Sequence, residues 1–186
     1  MRRVVRQVFF LTCSLILTWI WGEGRAEEPP AEVISAARAG LLPFLRRIPP
    51  GDLEGYGLSP GDSFDEAYPG TPFRIYTITP AALSDYRAGD GVSSLLSPLG
   101  MWYVPVMIGD DMKSILTVAR LDGSWKAVAI GKAPLAKELQ KLRRQWPRSR
   151  GYAPLLIKVL QAKTYLFTVP REGEYNLTPL TFEKEE

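Results

Sequence analysis

The densest chemistry in this 186-residue chain is cationic. Lys132, Lys137, Lys141, Arg143, Arg144, Arg148 and Arg150 fall within 19 positions, with Glu138 the one acid among them. Leu135, Leu139, Leu142 and Trp146 recur at i, i+4, i+7 and i+11, so a helix here carries an apolar stripe and a cationic remainder. A face of this kind can dock anionic lipid headgroups, lipopolysaccharide, a cell-wall polymer or an acidic protein. The same pattern also suits a helix packed on a core with its cations in solvent, the arginines of the last turn complementing the helix dipole. That is the commoner meaning of such a face. The binding candidates in this stretch are Lys137, Lys141, Arg143, Arg144 and Arg148.

Aromatic side chains form the second candidate set: Tyr56, Tyr68, Phe73, Tyr76, Tyr86, Trp102, Tyr103 and Trp125. Tryptophan and tyrosine on an open sheet face make platforms for sugars or peptides, because they offer area at little rotamer entropy. Trp102 and Tyr103 are adjacent, so a strand points them to opposite faces and at most one is expected in the core. Packing in a core or at an edge is the simpler reading of the whole set. Carboxylates come third. Asp62, Asp65 and Glu66 cluster in one loop and Asp110 with Asp111 in another. Two acids held about 5–10 Å apart in a cleft can hydrolyse a glycosidic bond. The spacing fits no calcium loop, and aspartates at turns ordinarily serve the backbone. A serine–lysine mechanism has neither a Ser-x-x-Lys nor a Gly-x-Ser-x-Gly pattern to support it.

Other chemistry is excluded by composition. The chain has no histidine, and its single cysteine is Cys13. Residues 27–186 therefore hold no thiolate or imidazole zinc site, no His- or Cys-ligated haem and no iron–sulfur cluster. They cannot run a Ser-His-Asp or Cys-His mechanism either. No cofactor and no metal is expected.

Residues 1–26 read as an export signal. Arg2, Arg3 and Arg6 precede an apolar run of about 14 residues from Val8 to Trp21, and Gly24-Arg25-Ala26 places small residues at −3 and −1 of a cleavage site. The run is shorter than the roughly 20 residues a spanning helix needs, which argues against an uncleaved anchor. A lipoprotein reading at Cys13 lacks the small residue usual before the acylated cysteine. Four arginines and Glu23 leave with the signal, so 23 basic and 20 acidic residues become 19 of each. The mature chain is then neutral, and nucleic acid is not an expected partner. The expected location is periplasmic or secreted, without a stable transmembrane span after cleavage.

The elements that must position these residues follow from periodicity. Val33, Ile34, Ala37, Leu41, Leu42, Phe44, Leu45 and Ile48 predict a helix over 31–48, which Pro43 is expected to kink or divide. A Gly/Pro/Asp-rich loop follows to 71, with a helical turn near 63–67. Alternation predicts a strand over 73–79, then a short helix over 81–87 and a flexible connection over 88–99. Three β-rich runs, 101–108, 114–121 and 125–131, with Asp122-Gly123 as a hairpin turn, make an antiparallel meander. The basic helix spans 133–146, started by Pro134 and stopped by Pro147. A hairpin over 154–161 and 164–169, a weak strand over 175–181 and a charged tail over 183–186 complete the chain.

This order predicts an α+β domain over 27–182: a mostly antiparallel sheet covered on one face by two main helices, similar in element order to cystatin-like or protease-propeptide folds. Tyr56-Gly57-Leu58, Pro69-Gly70-Thr71-Pro72-Phe73-Arg74-Ile75-Tyr76-Thr77-Ile78 and Trp102-Tyr103-Val104-Pro105-Val106 resemble segments of exported bacterial proteins with no assigned activity. The resemblance runs over most of the mature chain. It implies bacterial export and one domain, and it assigns no catalytic residue. The expected function is that of a non-catalytic binding or interaction protein of the bacterial envelope, meeting an envelope protein or an anionic surface through the basic helix, with Trp102 and Tyr103 as further binding candidates. The alternatives are a small Asp/Glu hydrolase and an inhibitor or prodomain-like partner of a secreted protease.

Overall fold

Helical spacing in the first apolar stretch sets the first element. In a computed structural model, α1 runs Ala31–Leu45 and buries Val33, Ala37, Leu41 and Leu45, one residue per turn along a single stripe. Pro43 lies inside α1 without dividing it. It sits in the last turn, so a single backbone bond is lost, and the chain beyond it still bonds helically, Arg46 N–H donating to Leu42 O at 3.0 Å. The structure describes residues 27–171 and 174–181. The expected export signal, 1–26, and charged tail, 183–186, lie outside the described residues.

The strands are β1 (Tyr68–Pro69), β2 (Phe73–Ile78), β3 (Leu96–Ile108), β4 (Asp111–Leu121), β5 (Ser124–Gly131), β6 (Leu155–Val159), β7 (Thr164–Thr168) and β8 (Thr178–Pro179). Between β2 and β3 lies α2 (Pro80–Asp85), capped by Thr79, whose hydroxyl accepts from Ala82 N–H at 3.1 Å. The second long helix, α3, is Ala133–Gln145. All the strands join one sheet in the order β5-β4-β3-β2-β6-β7-β8, with β1 beside β3. The meander β3-β4-β5 forms as expected. Its second turn has Asp122 at φ 49° and Gly123 at φ 80°, the left-handed pair a two-residue hairpin requires.

Three features go beyond the expectations or correct them. The segment 88–99 is not a free connection: β3 begins at Leu96, and Leu96, Ser97 and Pro98 pair with Ile78, Thr77 and Tyr76 of β2. Second, the sheet has a parallel pair, with Ile75 and Tyr76 of β2 opposite Leu156 and Ile157 of β6. The chain leaves the β5 edge, crosses the sheet through α3 and re-enters next to β2. Third, the α+β class and the mostly antiparallel sheet stand, but the two long helices cover opposite faces. Trp102, Val104, Val106, Leu116 and Val118 pack with the buried stripe of α1. Tyr103, Met107 and Ile115 pack with Leu135, Leu139 and Leu142 of α3, together with Ile75 and Leu156. Neighbouring residues of one strand thus reach two different cores, so Trp102 and Tyr103 are both buried, each 1% exposed.

Candidate functional site

The basic helix forms where its pattern predicts. Pro134 occupies its first turn, and Lys132 precedes it in the left-handed region at φ 63°. Burial of Leu135, Ala136, Leu139 and Leu142 fixes the rotation of α3 against the sheet. Lys137, Lys141 and Arg144 then share the opposite, solvent-exposed stripe. Lys141 Nζ lies 2.6 Å from Glu138 Oε1, and Arg144 Nη2 lies 3.9 Å from Asp111 Oδ1. Both are surface pairs of the kind worth about 0–1 kcal/mol.

Arg143 and Arg148 are placed differently. Each turns toward the body of the molecule at the C-terminal end of α3. Arg143 is half-buried; its Nη2 donates to the Asp110 carbonyl at 3.3 Å and its Nη1 approaches Met107 Sδ at 3.8 Å. Arg148 Nη2 donates to the Pro72 carbonyl at 3.4 Å. Arg148 is exposed over the residue as a whole, yet its charged end is partly desolvated against this wall, and burial pulls its pKa down. Both arginines line a cleft of about 420 Å³ whose apolar lining includes Phe73, Pro105, Trp146 and Pro154.

Trp146 is held from outside. Its ring meets Tyr152 edge-on at 5.0 Å, and the Arg171 guanidinium sits 4.7 Å from its centroid and 5.4 Å from that of Tyr152. Tyr152 and Arg171 carry no local sequence signal. They reach the site only because β6 and β7 return the chain to this face.

The aromatic platform is a correction. Trp102 lies under α1 with the Arg74 guanidinium 5.6 Å from its ring, and Arg74 is ion-paired with Glu27. Tyr103 lies under α3, its hydroxyl 2.9 Å from that of Tyr165 and Lys132 Nζ 5.9 Å from its ring. Burial, and then the bond to Tyr165, raises the Tyr103 pKa well above the ordinary 10.0. Burial raises that of Tyr165 too, opposed by the bond from Tyr103. Of the eight aromatic candidates only Tyr68 is exposed, and its hydroxyl donates to the Gly109 carbonyl at 2.8 Å.

The acidic clusters serve the fold. Asp62 accepts from Ser59 N–H at 2.8 Å and pairs with Lys113 at 3.1 Å. Asp65 meets Arg46 at 3.5 Å, and Asp111 accepts from Gln140 Nε2 at 3.2 Å. Among the described residues no three His, Cys, Asp or Glu side chains gather to hold a metal ion. A broader, more open hollow of about 760 Å³ lies between residues 50–56 and β5, with Asp52, Glu54, Tyr56 and Lys132 around it. The sequence pattern marked neither Asp52 nor Glu54. Compared with protein-family models, curated proteins and solved structures, the chain matches none.

Proposed function

We propose that this is a non-catalytic exported protein of the bacterial envelope, working in the periplasm, which docks an envelope protein or an anionic surface through α3. One observation carries the reading. Lys137, Lys141 and Arg144 form a continuous exposed stripe, while Arg143 and Arg148 extend the same positive charge around the end of the helix. The weak pairs to Glu138 and Asp111 yield to a denser array of negative charge, since exposed pairs are held by little. Export is supported by the charge and apolar pattern of residues 1–26. No helix among the described residues is long and apolar enough to cross a membrane.

The hydrolase alternative has one feature in its favour, the acids Asp52 and Glu54 on the larger hollow. Both are solvent-exposed, whereas an acid/base division of labour needs two carboxylates in unlike environments. Binding is the better supported reading.

Sedimentation with phosphatidylglycerol vesicles tests it, against phosphatidylcholine vesicles as the neutral control. Binding to the anionic vesicles is expected to weaken steeply with added salt. It is expected to vanish in the triple variant Lys137→Glu, Lys141→Glu, Arg144→Glu, which loses the pairs to Glu138 and Asp111 and about 1–3 kcal/mol of stability, so its fold is checked by circular dichroism. Unchanged binding by that variant, both to vesicles and to whatever crosslinks to residues 132–150 in intact cells, would sink the proposal.

A further inference from the structure

The geometry points to the cleft at the C-terminal end of α3 as a binding site for the carboxyl-terminal end of a peptide whose last side chain is apolar. The inference rests on α3 being the face that meets an anionic partner, and it names the chemistry of what enters the cleft beside that face.

Charge argues first. Among the described residues no carboxylate pairs with Arg143 or Arg148; their partners are a thioether sulfur and two backbone carbonyls. A guanidinium presents five N–H donors in a planar fork that matches a carboxylate. Both arginines therefore keep donors to spare, next to open space, while part of their hydration is already lost. An entering carboxylate restores what desolvation removed.

Shape and lining narrow the class. A volume of about 420 Å³ is near the lower end of the range for small-molecule sites, about 300–1,000 Å³, which suits one or two residues of a chain end. Phe73 and Trp146, with three prolines, supply a rigid apolar wall for one side chain. Trp146 is held in place by contact with both Tyr152 and Arg171. Thr71 and Ser149 place hydroxyls on the rim, where a peptide group has something to bond. The negative side is limited too. Asp110 also lines the cleft, and the last carbonyls of α3 carry partial negative charge toward its end. Both features disfavour a dianion and leave a single carboxylate on an apolar body as the fitting occupant.

The test titrates an acetylated pentapeptide ending in leucine, with a free carboxylate, into the purified protein and follows tryptophan fluorescence and heat. The comparison probes are the same peptide amidated, the same peptide ending in aspartate, decanoate and inorganic phosphate. The free-acid leucine peptide is expected to bind, and amidation to weaken it about tenfold or more, the loss of charge-assisted hydrogen bonds. Arg143→Gln and Arg148→Gln are each expected to reduce the free acid to the level of the amide with an unchanged circular dichroism spectrum. The stripe variant Lys137→Glu, Lys141→Glu, Arg144→Glu should bind the peptide more weakly in low salt but keep the parent's preference for the free acid over the amide. Equal binding of acid and amide, no loss on Arg148→Gln, or tighter binding of phosphate or decanoate would each overturn the inference. Failure of the peptide with salt-sensitive vesicle binding intact removes the cleft site alone. Failure of both removes the reading of α3 with it.

Discussion

On the α1 side of the sheet the covering helix brings valine, alanine, leucine and a glycine to the strands; on the α3 side it brings leucines on one stripe and four cations, Lys137, Lys141, Arg143 and Arg144, around the rest. The first interface is closed where α1 crosses β5. A Cβ added at Gly40 would fall 2.2 Å from the Ala127 Cβ, so α1 and β5 are already as near as their backbones allow. The second interface is sealed in the middle by Leu135, Leu139 and Tyr103 and opens at its end into the Arg143–Arg148 cleft. The difference teaches how one sheet divides its labour. Small side chains let a helix sit close on the strands and leave a hollow of about 260 Å³ beside α1, against about 420 Å³ at the end of α3, where long amphipathic side chains reach over the core.

Trp102→Ala is the most severe way to probe the comparison, since it empties the closed side. A loss of about 3–5 kcal/mol is expected from urea unfolding. A loss under about 1 kcal/mol would mean that the indole faces water, as a platform would. Gly40→Ala tests the close approach itself. Overpacking of this kind costs about 1–3 kcal/mol, and better helix propensity returns up to about 1 kcal/mol of it. The urea midpoint should fall, whereas Lys137→Ala on the open stripe of α3 should leave it unchanged.

The smallest effect concerns the tyrosine pair under α3. Folding raises the pKa of Tyr103 and of Tyr165 above 10.0, so it favours their neutral forms. That contribution is complete below the unfolded value and declines as pH rises above it, by about 1.4 kcal/mol per pH unit for each tyrosine. Between about pH 9 and pH 11 the urea midpoint should therefore drop more in the parent than in Tyr103→Phe/Tyr165→Phe. Equal drops would show that the pair does not govern the alkaline limb.

Much of the fold was legible in local signals. Asp122-Gly123 announced its turn, Pro134 and Pro147 bracketed α3, and the apolar stripe of α3 gave its rotation. The layering was legible in part. Ile115 to Val118 and Trp102 to Met107 are runs of bulky residues without polar alternation, the mark of strands buried on both faces. That signal outweighs the simple alternation from which one buried face was expected. The candidate site was half legible. Arg143 and Arg148 stood out by charge, but Phe73, Tyr152 and Arg171 lie far along the chain and share no spacing with α3.

The sequence by itself determined the chemical inventory and the local geometry: no imidazole, no thiol beyond Cys13, and three cations at helical spacing opposite three leucines. Those follow from composition and from 3.6 residues per turn, which act over a few residues. Only the tertiary structure decided that α1 and α3 take opposite faces, that β6 runs parallel to β2, and that Arg148 comes to rest on Pro72, 76 positions away. Such pairings depend on which arrangement of the whole chain buries both apolar faces of the sheet at once, and no short window of residues contains that information.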